Sequence, residues 1–134
     1  MNGPDGETKK RILVVEDESV IRALVRRVLA GGDWELVVAD SIQEGQSWIH
    51  GQAFDLLLTD LRLPDGHGVE IMRLFKAKFP HAAMIVMTGS LTPEDRFHEV
   101  PLLGEVECIF KPFDLDVLQK AVSQALGAVC QTFE

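Results

Sequence analysis

Five short apolar runs recur along the sequence at fairly even spacing, and each has the length and composition of a β-strand. The segments between them carry apolar residues at helical spacing, so strands and helices alternate along the chain. This alternation predicts an α/β fold with parallel strands, right-handed crossovers and helices on both faces of one sheet. The runs at 12–15 and 56–58 are apolar without alternation, as expected for central strands buried on both sides. The five runs span residues 12–15, 36–39, 56–58, 84–87 and 106–110.

Four of the connecting segments carry clear helix signals. A Gly-Gly pair at 31–32 ends the first, and Ser41 with Glu44 forms a capping box for the second. The segment after the fourth run is different, because the Thr-Pro pair at 92–93 favours a helix start while Pro101 would cut the helix short. The helical positions are Ile21, Leu24, Val25, Val28 and Leu29, then Ile42, Trp48 and Ile49, which are expected to face inward, then Gly68, Met72, Phe75 and Phe79, and finally Leu115, Leu118, Val122 and Leu126 after the cap Asp114.

With 134 residues, 46% of them hydrophobic, the chain has the size of one domain with a real core. Residues 1–10 are polar and rich in Gly, Pro and charge, which predicts a flexible N-terminal tail, and 128–134 are expected to form a C-terminal tail. No Pro-, Gly- or Ser-rich linker divides residues 11–127, so they are predicted to fold as a unit.

The chain carries 13 basic and 21 acidic residues, and its net charge of −8 opposes direct binding to nucleic acid. Cys108 and Cys130 are too few for a disulfide framework and are not spaced as a zinc pair, which fits a reducing cytosol. The N-terminus lacks the apolar stretch of a signal peptide, and no run approaches the about 20 residues of a membrane span. We therefore expect a soluble, cytoplasmic protein that does not associate with membranes.

Polar residues suited to phosphoryl chemistry follow four of the five predicted strands. The acidic triplet at 16–18 follows the first, Asp60 the third, Thr88 the fourth and Lys111 the fifth. Because the carboxyl ends of parallel strands meet at one edge, these residues are expected to converge. Crowded carboxylates need a cation at neutral pH, and hard oxygen ligands suit Mg²⁺ better than zinc. Asp60 is then the candidate nucleophile, with Lys111 and Thr88 holding phosphoryl oxygens.

Each of these signals also has an ordinary structural interpretation. Acidic residues after a strand often cap the next helix, and Asp60 before a stretch rich in Pro and Gly could mark a simple turn. Thr88 could be a strand exit, and Lys111 an exposed charge at a strand end. Their joint occurrence at the strand ends of one α/β pattern favours a common site.

The motifs around these residues resemble those of the receiver domain of two-component response regulators over residues 11–126. They are ILVVEDE for the acid pair, LLLTDLRLPDGHG for the phosphoacceptor loop, IVMTGS for the switch hydroxyl and IFKPF for the lysine-proline pair. The resemblance implies a flavodoxin-like fold, a doubly wound (βα)5 three-layer sandwich whose parallel five-stranded sheet has the order 2-1-3-4-5. It also implies a cis peptide bond between Lys111 and Pro112.

The resemblance further implies a role for each site residue. Asp60 would be the phosphoacceptor, Lys111 would pair with the phosphoryl oxygens, and Thr88 would be the switch hydroxyl. Arg62 and Ser90 would flank the phosphoryl group. The implied Mg²⁺ ligands are Asp17, Glu16 directly or through water, Asp60 and the backbone carbonyl of Arg62.

The family resemblance implies a sensor histidine kinase or a histidine phosphotransfer protein as phosphoryl donor, and a downstream protein partner. A stand-alone protein, a fragment of a hybrid kinase or longer regulator, and a phosphorylation-dependent homodimer all fit the sequence. Cys108 stands where the family usually carries Tyr or Phe, a ring that turns inward when the switch hydroxyl moves. This departure concerns the output step rather than phosphorylation.

Two other classes of function were weighed against a phosphoacceptor switch. A non-phosphorylated scaffold would keep the fold for partner binding. A Mg²⁺-dependent phosphohydrolase would use Asp60 as nucleophile, but haloacid-dehalogenase-like enzymes need an acid two residues later, where this chain has Arg62. The preferred interpretation is a signalling domain rather than an enzyme, one that catalyses only its own phosphorylation and dephosphorylation.

Overall fold

The computed structural model describes residues 9–89 and 93–127 of the chain. Strands and helices alternate within these residues, as the apolar pattern predicts. The strands are β1 (Lys10–Val15), β2 (Trp34–Ala39), β3 (Leu56–Thr59), β4 (Arg62–Leu63), β5 (Gly66–His67), β6 (Ala83–Thr88) and β7 (Glu107–Phe110), and the α-helices are α1 (Ser19–Leu29), α2 (Ile42–Gly51), α3 (Gly68–Lys78) and α4 (Leu115–Ala125).

Five of these strands form one parallel sheet in the order β2-β1-β3-β6-β7. Numbered along the chain, the five sheet strands have the order 2-1-3-4-5, which confirms the predicted flavodoxin-like topology. The chain first runs from β1 outward to β2 and then returns to the other side of β1. The carboxyl ends of β1 and β3 therefore flank the point where strand order reverses, which is where doubly wound sheets bind ligands.

The sheet is covered on both faces, so its central strands are fully buried. In β1, Leu13 and Val15 face one core, while Ile12 and Val14 face the other. Each fully buried aliphatic side chain stabilises the fold by about 1.5–3 kcal/mol. The first core includes α2 and α3 through Ile42, Ile49, Ile71, Met72 and Phe75, and the second includes α1 and α4 through Val25, Leu29, Leu118, Ala121 and Val122.

The predicted helix caps and inward faces are confirmed in part. Asp114 lies at the N-cap position of α4, but its side chain makes no capping hydrogen bond. Ser41 accepts a hydrogen bond from the Glu44 amide at 3.1 Å, and Glu44 accepts one from the Asp40 amide, so the predicted cap of α2 is confirmed. Trp48, expected to face inward, is 38% exposed, because neighbouring Ile49 takes the inward position. Leu115, a predicted helical position, lies in the first turn of α4 and is 45% exposed.

The crossover between β6 and β7 contains no α-helix within the described residues. Two 3₁₀ segments replace it, Pro93–Asp95 and Phe97–Leu103. Pro101 lies inside the second segment, where its missing N–H and its ring are incompatible with an α-helical ladder. Val100 is buried against the same core as α2 and α3, so the irregular segment still packs onto the sheet.

A small hairpin of β4 and β5, which the sequence did not predict, follows the third sheet strand. Gly66 has a φ of 153°, a backbone conformation that favours glycine. Asp65 in this turn accepts hydrogen bonds from the amides of Ile42 and Gln43 at 2.8 and 2.9 Å. These bonds keep the pKa of Asp65 low despite desolvation, and they tie the hairpin to the N-terminus of α2.

The predicted tails fall mostly on residues 1–8 and 128–134, outside the described residues. Lys10 is the first residue of β1, and the tail boundaries otherwise stay a prediction. Within the described ranges no helix is both long and apolar enough to cross a bilayer.

Candidate functional site

Two acidic loops lie side by side at the carboxyl edge of the sheet. β1 and β3 are neighbours in register, with Val15 opposite Thr59, so the residues that follow them meet. The Glu16 amide donates to the Ala39 carbonyl at 3.0 Å, and the Asp60 amide donates to the Val15 carbonyl at 3.2 Å. Backbone hydrogen bonds thus continue past the strand ends and fix where both acidic side chains begin.

Lys111 brings the end of the fifth sheet strand to the same place. Its Nζ lies 2.7 Å from Asp60 Oδ2, 2.9 Å from Glu16 Oε1 and 3.2 Å from Glu18 Oε1. Burial alone would lower the pKa of Lys111, but hydrogen bonds to Asp60 and Glu16 outweigh it and raise the pKa above its ordinary value. Lys111 is therefore a firmly charged ammonium group shared by three carboxylates. The bond to Pro112 is cis, as the resemblance implied.

Glu16 is the fully buried member of this cluster. Its side chain is 0% exposed, and this burial raises its pKa above the ordinary value of 4.5. Hydrogen bonds from Lys111 and from the Glu18 amide offset the burial only in part, since Lys111 is shared with Asp60. A cation bound beside Glu16 would favour its ionised form.

The acidic side chains have the composition of a hard-cation site. One carboxylate oxygen from each of Glu16, Asp17 and Asp60 can be chosen so that all three lie within 4.8 Å of one another. Carboxylate oxygens are the donors that Mg²⁺ and Ca²⁺ prefer, and sulfur and imidazole ligands are absent from this described group. The donor set therefore fits Mg²⁺, as the sequence predicted.

The Asp60 carboxylate is held at both oxygens. Oδ1 accepts hydrogen bonds from the amides of Leu61 at 2.6 Å and Arg62 at 3.3 Å, while Oδ2 faces Lys111. Gly68 packs against the Asp60 carbonyl so closely that any Cβ there would overlap the oxygen, which explains glycine at the start of α3. Hydrogen bonds and close packing thus fix the position of the Asp60 carboxylate.

Thr88 and Cys108 lie at different distances from the carboxyl edge of the sheet. Thr88 ends β6, is 2% exposed, and its carbonyl accepts a hydrogen bond from the Lys111 amide at 2.8 Å. Cys108 lies further back in β7, opposite Val86, and packs against the core beneath α2 and α3. Burial raises the pKa of its thiol. Ser90, the other predicted flanking residue, lies outside the described residues.

Glu18, part of the acidic triplet that was expected to converge here, contacts Lys111. Two further contributors, Arg22 and Asp95, were not predicted. Arg22 donates to the carbonyls of Glu16 and Asp17 at 3.0 and 2.8 Å, which supports the acidic loop from α1. Asp95 accepts two hydrogen bonds from the Arg62 guanidinium and so fixes the direction of that side chain. No periodic sequence signal predicts that Arg22 reaches back to the carbonyls of Glu16 and Asp17, or that Arg62 contacts Asp95.

Two clefts of about 380 Å³ each lie away from this cluster. One is lined by the strand starts Lys10 and Ala83 together with Phe79, and the other by Ala83 and Glu107. These residues belong to the amino-terminal edge of the sheet. The acidic cluster lies at the opposite, carboxyl-terminal edge of the sheet.

A family model described as the response regulator receiver domain matches residues 12–123 of the chain. The chain belongs to this family. Among curated relatives, the receiver domain is similar to the response regulator protein PilR of Pseudomonas aeruginosa, with 32% identity over 121 residues, 89% of this chain and 26% of the relative. It is also similar to the transcriptional regulatory protein ZraR of Escherichia coli, with 29% identity over 116 residues, 87% of this chain and 26% of the relative.

Solved receiver domains share the fold of this chain. A CheY-like response regulator receiver domain protein from Methanospirillum hungatei has a TM-score of 0.80 at 27% identity, covering 90% of this chain and 95% of the other. The non-phosphorylated HemR receiver domain of Leptospira biflexa has a TM-score of 0.78 at 28% identity, covering 90% and 97%. This receiver domain spans about a quarter of the length of the curated relatives that it matches.

Proposed function

We propose that Asp60 of this receiver domain accepts a phosphoryl group from a phosphohistidine, in a reaction that requires Mg²⁺. The donor would be a sensor histidine kinase or a histidine phosphotransfer protein. The observation that supports this assignment best is the position of Asp60 within the cluster, 2.7 Å from the Lys111 ammonium and grouped with Glu16 and Asp17. These neighbours orient the Asp60 carboxylate for attack.

The transfer exchanges one bond to phosphorus for another. A carboxylate oxygen of Asp60 attacks the phosphorus, and an O–P bond forms while the P–N bond to the donor imidazole breaks. The electron pair of that bond returns to the imidazole nitrogen. Since the attacking carboxylate is already ionised, no general base is needed.

The residues around Asp60 have separate tasks in this scheme. Lys111, within hydrogen-bond distance of Asp60, pairs with a phosphoryl oxygen after transfer. The Thr88 hydroxyl donates a hydrogen bond to a second phosphoryl oxygen. Glu16, Asp17, Asp60 and the Arg62 carbonyl are the residues that would hold Mg²⁺. Bound Mg²⁺ supplies the positive charge that balances the carboxylates and the equatorial phosphoryl oxygens.

The partners of this domain follow from its charge and its relatives. Two curated relatives are a response regulator and a transcriptional regulator, which supports a role upstream of a protein partner or a linked output domain. The net charge of −8 argues against nucleic acid contacts by this domain itself. We place the reaction in the cytoplasm, where the phosphohistidine of a kinase is formed with ATP.

The decisive experiment compares the wild type with Asp60→Asn. Wild-type protein incubated with Mg²⁺ and acetyl phosphate should gain about one hydroxylamine-labile phosphoryl group per chain, because an acyl phosphate is cleaved by that nucleophile. The variant keeps the shape of the side chain but lacks the nucleophile, so labelling should fall to background while circular dichroism stays unchanged. Equal labelling of the two proteins would refute the assignment of Asp60. Absence of labelling and of a beryllofluoride adduct in the wild type would favour a non-phosphorylated scaffold.

A further inference from the structure

An arginine two residues beyond the phosphoacceptor is held by a distant carboxylate. Arg62 Nε lies 2.9 Å from Asp95 Oδ1, and its Nη2 lies 3.1 Å from Asp95 Oδ2. Both hydrogen bonds are charge-assisted, and together they fix the plane of the guanidinium. The first 3₁₀ segment, Pro93–Asp95, thus reaches across to the phosphoacceptor loop.

The two partners differ sharply in burial. The Asp95 side chain is 2% exposed, whereas the Arg62 side chain is 67% exposed. Packing therefore fixes the carboxylate, while the guanidinium depends on its partner for its position. Removal of the carboxylate charge would leave a long, solvent-exposed cation free to select another acceptor.

Two other carboxylates act electrostatically on the Arg62 guanidinium, those of Glu94 and of the phosphoacceptor Asp60. The Arg62 amide already donates to Asp60 Oδ1 at 3.3 Å, so the side chain starts beside that carboxylate. Hydrogen bonding and charge from Asp95 raise the pKa of Arg62 most, and the charges of Glu94 and then of Asp60 add to the same effect. A guanidinium can bind both oxygens of a carboxylate at once, which would occupy the atoms that Mg²⁺ and phosphorus must reach.

We propose that Asp95 is a positioning residue that holds the Arg62 guanidinium off Asp60 and so keeps the phosphoacceptor accessible to Mg²⁺ and to the phosphoryl donor. The inference rests on the proposed function of Asp60. It concerns this chain in particular, because it requires both an arginine at position 62 and a buried acid at position 95.

Mg²⁺ titration of four proteins by calorimetry tests this role: wild type, Asp95→Asn, Arg62→Ala and the double variant. Asp95→Asn should weaken Mg²⁺ binding by about two- to fivefold, the effect of one partly exposed charge pair. Arg62→Ala should bind Mg²⁺ slightly more tightly than wild type, since a nearby cation is lost. The double variant should regain the affinity of Arg62→Ala, because the competing cation is absent.

The matched control is Glu99→Gln, which breaks ion pairs of the neighbouring 3₁₀ segment with Arg73 and Arg96 and should leave Mg²⁺ affinity unchanged. If Asp95→Asn fails to fold, Arg62→Lys replaces it. Lysine keeps the charge but loses the two-point contact with Asp95, so this variant should bind Mg²⁺ more weakly than wild type.

Two results would overturn the role of Asp95. One is an Mg²⁺ affinity equal to that of wild type in Asp95→Asn, or in its substitute Arg62→Lys. The other is a double variant as weak as Asp95→Asn, which would mean that Asp95 acts through local structure. Either result with a normal beryllofluoride adduct on wild-type Asp60 leaves the proposed function intact. A wild type that binds neither Mg²⁺ nor beryllofluoride refutes the proposed function and this inference together.

Discussion

At the scale of single residues, Lys111 is the main compensation for the acidic cluster. Its side chain is 13% exposed, and its partners Glu16 and Asp60 are 0% and 12% exposed. Removing one member of a fully buried pair costs about 3–5 kcal/mol, and slight exposure reduces this figure. We expect Lys111→Met to lower the free energy of unfolding by about 2–3 kcal/mol in Mg²⁺-free buffer, as measured by urea denaturation.

The control for this prediction is Glu18, the third partner of the same lysine. Its side chain is 60% exposed, so the Lys111–Glu18 pair is screened by water. Glu18→Gln should therefore change the free energy of unfolding by no more than about 0.5 kcal/mol. If Glu18→Gln lowers the free energy of unfolding as much as Lys111→Met does, solvent exposure does not determine how much each contact of Lys111 contributes to stability.

The residues that sequence alone could bring together are those that directly follow a strand. Glu16, Asp60 and Lys111 needed only the parallel order of strands to converge, because backbone register fixes where their side chains begin. Asp95 could not be found in this way. Its contact depends on the path of an irregular segment and on the direction of a long arginine side chain, and neither has a periodic signature.

At the scale of elements, ion pairs connect the second 3₁₀ segment, Phe97–Leu103, to α3. Glu99 accepts hydrogen bonds from Arg96 and from Arg73 of α3, and Arg96 also contacts Glu70 of α3. Hydrogen bonding to Arg96 is the largest effect that lowers the pKa of Glu99 to about 2. A segment without an α-helical ladder thus depends on side-chain contacts for its attachment.

The lowered pKa of Glu99 gives this attachment a defined pH dependence. Stability from ionised Glu99 is fully present above its ordinary pKa of 4.5 and is lost as pH falls toward about 2. Glu99→Gln should lower the thermal midpoint by a few degrees at pH 7, and the difference from wild type should shrink between pH 4.5 and 3. If calorimetry gives the same difference in thermal midpoint between wild type and Glu99→Gln at pH 7 and at pH 3, this account is wrong. Glu35→Gln, which removes an exposed pair with Arg11, should change the midpoint less.

Element boundaries show where local sequence signals suffice. The five sheet strands and the capped helices were predicted because apolar periodicity and caps are local properties. Pro101 correctly indicated an irregular fourth crossover, but its 3₁₀ form depends on how Val100 packs. The β4–β5 hairpin was missed, since two-residue strands carry no periodicity. The hairpin is also held by a contact that is remote in sequence, between Asp65 in its turn and the N-terminus of α2.

At the scale of the whole molecule, the acidic cluster makes the stability of the folded protein depend on Mg²⁺ binding. A ligand that binds only the folded state adds about 2.7 kcal/mol when its concentration is a hundred times its dissociation constant. Millimolar Mg²⁺ should therefore raise the melting temperature of the wild type, and Asp17→Asn should reduce that rise. Without Mg²⁺ the variant should be more stable than wild type, because Asp17 adds a like charge beside Glu16 and Asp60.

Two comparisons separate this effect from general charge screening. Potassium chloride at equal ionic strength should not reproduce the rise in melting temperature. Asp33→Asn, which changes net charge equally at an exposed position, should keep the full response to Mg²⁺. An unchanged wild-type melting temperature in Mg²⁺ would mean that the carboxylates do not form a cation site.

The attachment of the phosphoacceptor loop at both ends has a consequence for its length. The Asp60 amide is bonded to Val15, the Gly68 amide to the Leu61 carbonyl at 2.8 Å, and Asp65 to α2. An inserted or deleted residue between Asp60 and Gly68 would move the hairpin away from α2 or push Gly68 off the Asp60 carbonyl. Natural length variation in homologous chains should therefore collect elsewhere, for instance between Gly104 and β7, while this loop keeps a constant number of residues.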